Sequence, residues 1–214
     1  MDAPFDLEQT DRLLSTTRAV RRRLDLTRPV PRPILLDCVR LAQQAPTPSN
    51  VQSWRWLVVD DARIRGELAR LYREIGEKAL PGARQRFPDD AQTQRVYDSA
   101  EYLVAHLHEV PVHVVPCVEA RFDGSSNVAA ANLYGAILPA VWSFQLALRS
   151  RGLGSAWTTL HLFHEEEAAR ILGIPDGVTQ VALLPVAWTR GTGFKTARRP
   201  PPESITYWNS WGAS

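Results

Sequence analysis

Four arginines crowd into six residues near the start of the chain, Arg18, Arg21, Arg22 and Arg23, within T-T-R-A-V-R-R-R-L-D. Adjacent guanidinium groups repel one another unless water or an anion screens them. The cluster is therefore either a phosphate clamp or the solvated edge of a helix, and charge alone does not separate the two. A second basic group, Lys195, Arg198 and Arg199, lies near the other end and runs into Pro200, Pro201 and Pro202. Between them, Gln44 to Trp56 reads Q-A-P-T-P-S-N-V-Q-S-W-R-W. Pro46 and Pro48 exclude a continuing helix, so Thr47, Ser49 and Asn50 offer hydroxyls, an amide and backbone N–H groups from a fixed loop. That chemistry suits a planar heteroaromatic ligand, and the same residue types also make an ordinary helix-to-strand connection.

Other reactive side chains point to less. In L-R-S-R-G-L-G-S-A-W-T-T-L, Leu148 to Leu160, the small residues Gly154, Ser155 and Ala156 let backbone approach a ligand closely. Ser155 lacks the G-x-S-x-G frame of a nucleophile elbow. His106 and His108 are two apart on a helical segment and do not share a face. His161 and His164 have no carboxylate or cysteine arrangement of a zinc site around them, so no metal is expected. Cys38 and Cys117 sit in apolar runs without CxxC spacing and read as buried thiols.

These groups have to be positioned by elements that the pattern of the chain supplies. Helical spacing covers Leu7 to Ser15, Ile34 to Ala45, Asp60 to Leu80, Ala91 to His108 and His164 to Leu172. Strands are expected at Trp54 to Val59, Val112 to Val118 and Val178 to Ala187, with Trp157 to Leu160 extended. Pro81 to Asp90 reads as a flexible connection. Gly124 to Leu148 carries no charge and is rich in Ala and Gly, which suits a long helix buried against another helix or subunit better than lipid. The 214 residues, 44% hydrophobic and 22% charged, make one soluble globular domain, 1–214, with 191–214 as a tail whose three aromatics pack on this core or on a partner. A net charge of +2 gives no case for nucleic acid, and the arginine cluster lacks interleaved aromatics. The acidic start, Met1 to Thr10, has no secretory pattern, so the chain is expected in the cytoplasm.

Taken in order, the arginine cluster, the A-P-T-P-S-N-V-Q-S-W-R-W loop, the G-L-G-S-A-W turn and the late basic cluster resemble the FMN-dependent nitroreductase family. That family shows a similar A-P-S-x-x-N-x-Q-P-W-x-F in the loop. The run L-A-L-R-S-R-G-L-G-S-A-W-T-T-L is also similar to an actinobacterial subgroup of nitroreductase-like oxidoreductases. The resemblance spans Thr16 to Trp211 and is weakest over Leu68 to Val110, where a substrate lid is expected.

The resemblance implies an α+β fold, a central, mostly antiparallel sheet flanked by helices, in an intertwined homodimer with FMN at the subunit interface. The helix Asn127 to Arg151 would form the dimer core, and the aromatic tail would wrap the partner. Arg18 and Arg22 would hold the FMN phosphate, and Arg21 would approach the ribityl chain or the pyrimidine edge. Ala19 stands where the family usually carries a serine hydroxyl. Pro46, Thr47, Ser49 and Asn50 would touch the ring and ribityl groups from the other subunit. Trp157, Thr158 and Thr159 would back the ring with a backbone N–H near flavin N5, although Thr159 and Leu160 replace a common Glu-Gly pair. Arg198 is the best match to the late phosphate contact, with Lys195 or Arg199 as alternatives. The implied activity is a ping-pong transfer of hydride from NADPH or NADH through the flavin to a nitroaromatic or quinone, with no catalytic amino acid. The alternatives are a flavin-consuming or dehalogenating member of the fold, or a non-catalytic FMN-binding protein.

Overall fold

The structure, a computed structural model, describes residues 4–122 and 124–212. It divides into two compact units, Arg18–Thr192 and a smaller one made of Met1–Thr17 and Gly193–Ser214. The smaller unit holds helix α1, Leu7–Thr16, whose first turn is capped by the Asp6 carboxylate accepting the Gln9 N–H at 3.0 Å. Its tail forms a 3₁₀ turn over Pro202–Ile205. There the rings of Tyr207 and Trp211 lie 5.1 Å apart, and Tyr207, Trp208 and Trp211 are exposed.

The larger unit is α+β. In chain order it contains α2 (Arg32–Ala42), β1 (Trp54–Val59), α3 (Ala62–Arg84), α4 (Ala91–His106), β2 (Val112–Val118), α5 (Asn127–Gly135), α6 (Leu138–Ser150), β3 (Leu153–Ser155), α7 (Glu165–Leu172), β4 (Thr179–Gln180) and β5 (Leu184–Trp188). The sheet runs β1-β2-β5-β3, with β4 paired to the far end of β2, and every strand pair among the described residues is antiparallel. β2 is central and buried at all seven positions, which is why its sequence, V-H-V-V-P-C-V, is almost entirely apolar. Pro116 is tolerated there because its carbonyl still accepts the Val181 N–H at 3.0 Å.

On one side α2 and α6 pack together, contributing Leu35, Cys38 and Ala42 against Val141, Phe144 and Leu148 in the main core. Trp56 of β1 meets Phe144 with ring centroids 5.0 Å apart. On the other side α3 and α4 form a helical hairpin, with Leu68, Leu71, Tyr72, Leu103 and Val104 buried. Both cysteines are free, buried thiols.

Four expectations from the pattern need correction. The apolar segment after Gly124 is two helices, because the chain turns at Ala136–Ile137 and Pro139 fits only the first turn of a new helix. The stretch Asn127–Ser150 has the length and hydropathy of a membrane span, yet half of that window is buried inside the protein. α3 runs through Pro81 to Arg84, so the first four residues of the expected flexible connection are helix and Gln85 to Asp90 turns the hairpin. The Val178 to Ala187 strand is split, because Leu183 leaves the ladder and exchanges both backbone hydrogen bonds with Thr158 (3.2 and 2.9 Å). Leu160 is no longer extended and opens a 3₁₀ turn, Leu160–His164, before α7.

Candidate functional site

The arginine segment is stitched along the β3 edge of the sheet. Val20 donates its N–H to the Ser155 carbonyl (2.8 Å), Leu24 bridges Thr189, and Asp25 donates to the Trp188 carbonyl (2.8 Å). Contact this close requires Gly154. A Cβ there would stand 2.7 Å from Thr189 Cγ2 and 3.0 Å from the Val20 Cβ. With Val20 and Leu24 pinned inward, the arginines between and beside them are turned away from the core. Arg23 is used locally, its Nε donating to the Arg190 carbonyl at 2.9 Å.

Arg21 reaches toward the helical hairpin. Its Nη1 donates to Ser99 Oγ of α4 (3.1 Å), while its Nε is buried with no partner. Burial lowers the guanidinium pKa from its ordinary value, opposed by the neighbouring Tyr72 hydroxyl. Tyr72, buried on α3, shares a hydrogen bond with the Thr158 side chain, and desolvation pushes its pKa up to about 12. It is therefore a neutral phenol at any working pH. Thr158 donates its hydroxyl proton to the Leu183 carbonyl (2.6 Å) and its N–H to the same atom (3.2 Å). The three residues Arg21, Tyr72 and Thr158 thus make one chain of contacts from the arginine segment to the Trp157–Thr159 turn.

Because Thr158 is committed to Leu183, the backbone N–H groups that this turn can aim at a ring are those of half-buried Trp157 and exposed Thr159. Arg22 faces α4 as well: Nη2 donates to the Asp98 carbonyl (3.1 Å), lies 3.7 Å from the Asp98 carboxylate, and the guanidinium sits 4.9 Å from the Tyr102 ring centroid. Arg18 is exposed.

Tyr72, Asp98, Ser99 and Tyr102 were not among the residues singled out from sequence. Asp98, Ser99 and Tyr102 do have i, i+1, i+4 spacing on one side of a helix. What they face is decided by the close crossing of α3 and α4. At Gly76 an added Cβ would meet Val104 Cγ2 at 2.4 Å.

The proline loop lies elsewhere. Pro46, Ser49 and Asn50 are exposed and Thr47 is half-buried. Pro48–Asn50 is a 3₁₀ turn in which Ser49 (φ 50°) and Asn50 (φ 55°) both hold left-handed conformations. Two consecutive non-glycine residues at positive φ store strain of roughly 1 kcal/mol or more each, a feature concentrated at ligand-contacting loops. Pro48 and Ser49 border a cavity of about 320 Å³ with Val51, Phe122, Asn132 and Leu133. The loop leads into β1, at the opposite edge of the sheet from β3, and three strand spacings amount to ~14 Å. One chain therefore joins the arginine segment to the Trp157–Thr159 turn and holds the proline loop apart from both.

Lys195, Arg198 and Arg199 belong to the smaller unit. All three are exposed, and Arg199 Nη1 donates to the Arg198 carbonyl at 3.1 Å. Among the described residues no group of three or more His, Cys, Asp or Glu is placed to hold a metal.

The nitroreductase family model matches residues 14–188, a span that holds the arginine segment, the proline loop and the Trp157–Thr159 turn. Among curated relatives, the chain is 25% identical over 175 residues to an iodotyrosine deiodinase of Thermotoga neapolitana, covering 82% of this chain and 86% of that one. It is 26% identical to an NADH dehydrogenase of Thermus thermophilus, covering 94% and 100%. Its fold is similar to that of an FMN-dependent nitroreductase of Mycobacterium smegmatis solved in complex with NADPH. The TM-score is 0.66 at 18% identity, covering 95% and 100%. The chain belongs to the nitroreductase family of flavin-dependent oxidoreductase enzymes.

Proposed function

We propose that two copies of this chain hold two FMN molecules and carry hydride from NADPH or NADH to an acceptor such as a nitroaromatic or a quinone. The observation that carries the reading is the buried, unpartnered Nε of Arg21 beside the Trp157–Thr159 turn. An orphaned guanidinium N–H in a protein interior costs stability of about 1 to 3 kcal/mol, and more for a charged group. A flavin pyrimidine carbonyl or a ribityl hydroxyl supplies the missing acceptor. The residues present fit the cofactor in two further respects: positive charge at Arg18 and Arg22, and backbone N–H groups at half-buried Trp157 and exposed Thr159.

When bound, FMN supplies a ring nitrogen that accepts hydride from one partner and returns it to another. The protein's own residues position and stabilise. Arg18 and Arg22, with Arg198 or in its place Lys195 or Arg199, hold the phosphate by charge-assisted hydrogen bonds. Arg21 places positive charge where negative charge develops on reduction. Tyr72 and Leu183 fix Thr158, and through it the N–H groups of Trp157 and Thr159. Pro46, Thr47, Ser49 and Asn50 reach the ring from a second copy, because within one chain they stand at the far edge of the sheet. The aromatic tail and the α5–α6 face supply apolar surface for that dimer, with Val128, Tyr134, Leu138, Trp142, Trp208 and Trp211 all exposed in the single chain. Nicotinamide and acceptor take turns over the same ring face, with no nicotinamide domain of their own. We place the enzyme in the cytoplasm and in the actinobacterial subgroup on the sequence features given above.

A second reading, dehalogenation or oxidative use of the flavin, draws support from the α3–α4 hairpin that covers the arginine segment and from the deiodinase relative. One experiment separates the readings. The purified protein is loaded with FMN under argon, and its visible spectrum is followed through NADPH, NADH and then an acceptor. Bleaching by either donor and recovery with a nitroaromatic or quinone supports the proposal. Recovery with 3-iodotyrosine alone, or FMN consumption in air, replaces it with the second reading. Flavin bands that persist with both donors indicate a non-catalytic flavin protein, and failure to take up FMN refutes all three.

A further inference from the structure

Asp98 ties three elements together. Its carboxylate lies 3.7 Å from Arg22 on the arginine segment and 3.2 Å from Arg84 at the end of α3, and its backbone carbonyl accepts a hydrogen bond from Arg22 at 3.1 Å. The next residue, Ser99, accepts from Arg21, and Tyr102 one turn later lies against Arg22. Two of the clustered arginines are therefore held by a single stretch of α4. The positive charge that Arg22 would offer an incoming anion is already answered by a carboxylate.

The arrangement is weak on one side and strong on the other. The Arg22–Asp98 pair is about half exposed on both partners (54% and 52%), and such pairs are loosely held and screened by salt. Arg84 has two further acceptors, Glu101 at 3.2 Å and Gln94 at 2.6 Å, so α3 and α4 stay joined if Asp98 releases Arg22. A phosphate monoester, with close to two negative charges and three acceptor oxygens, outcompetes a single carboxylate for a guanidinium.

Resting on the FMN reading above, we propose that Asp98 is an internal counter-ion of the phosphate site. The FMN phosphate takes Arg22 from Asp98 by anion exchange, and α4 loses its grip on the arginine segment as the cofactor loads. Asp98 thereby sets a cost on phosphate binding that riboflavin does not meet, and couples occupancy of the site to the hairpin.

The test measures affinities of FMN and riboflavin by flavin fluorescence for the wild type and for Asp98→Asn, with hydrogen exchange of residues 91–106 as a second readout on the wild type. Removing the competing charge is expected to tighten FMN binding roughly two- to fivefold, the scale of an exposed ion pair, and to leave riboflavin unchanged. In the wild type, FMN but not riboflavin is expected to speed exchange in α4. Weaker or unaltered FMN binding in the variant, an equal change for both flavins, or exchange that responds equally to both would overturn the exchange mechanism. If neither protein binds FMN, the cofactor reading falls with it; if FMN binds with indifference to Asp98, only the counter-ion role is lost.

Discussion

Acid should destabilise this protein through two histidines in its interior. His113 of β2 and His161 of the Leu160–His164 turn are both fully buried. His113 donates its Nε2–H to the Leu107 carbonyl at 2.9 Å, its Nδ1 has no partner, and neither nitrogen of His161 has one. Desolvation pulls each pKa from 6.5 to about 4, and His113 is held down further by Arg65 and by His161 itself. The folded pKa lies below the unfolded one, so the unfolded chain takes up protons first. Stability is complete above about pH 6.5, falls as the pH drops toward 4, and levels off below it. Between pH 7 and pH 5 each histidine costs about 2 kcal/mol, or about 4 kcal/mol together, a large share of a typical total of roughly 5 to 15. Asp60, whose pKa is lowered by Arg32, titrates below this window. Urea unfolding at pH 7, 6 and 5 measures the slope, and His161→Phe, which cannot titrate, should halve it. A wild-type stability that is flat from pH 7 to 5, or a variant with the wild-type slope, would refute the assignment.

Arg18→Ala and Arg198→Ala should each weaken FMN binding about tenfold or more, the scale of one charge-assisted bond; titration of flavin fluorescence with unchanged affinity in both would remove the clamp. Gly154→Ala should destabilise the fold by about 1 to 3 kcal/mol and loosen FMN, because its Cβ would press on Val20 and Thr189 and shift the arginine segment; thermal melting and flavin affinity read the two effects. Cys38 and Cys117, with thiols raised to about 11 and about 12 by burial, should resist a thiol reagent at pH 8 in the native state and react fully once unfolded.

The legible parts of the site are those whose chemistry is local. Arginines in a row, two prolines in a turn and small residues ahead of Trp157 each restrict backbone or charge over a few residues, so they announce themselves without a fold. Tyr72, Asp98, Ser99 and Tyr102 do not. They sit on ordinary helix faces, and only the close crossing of α3 and α4 at Gly76 turns that face toward Arg21 and Arg22. The committed state of Thr158 was equally hidden, since it depends on Leu183, a residue that breaks the apparent strand to meet it.

The sequence by itself determined the elements with strong local periodicity. Trp54–Val59 and Val112–Val118 appear at their expected bounds, because β-branched and aromatic residues bounded by turn-formers leave little else to form. It also determined the family, through the order of its short motifs. Tertiary structure decided the rest: the splitting of the last strand, and the separation of the arginine segment and the proline loop to opposite edges of the sheet. Each depends on which strand pairs with which, a long-range choice set by packing that no run of neighbouring residues encodes.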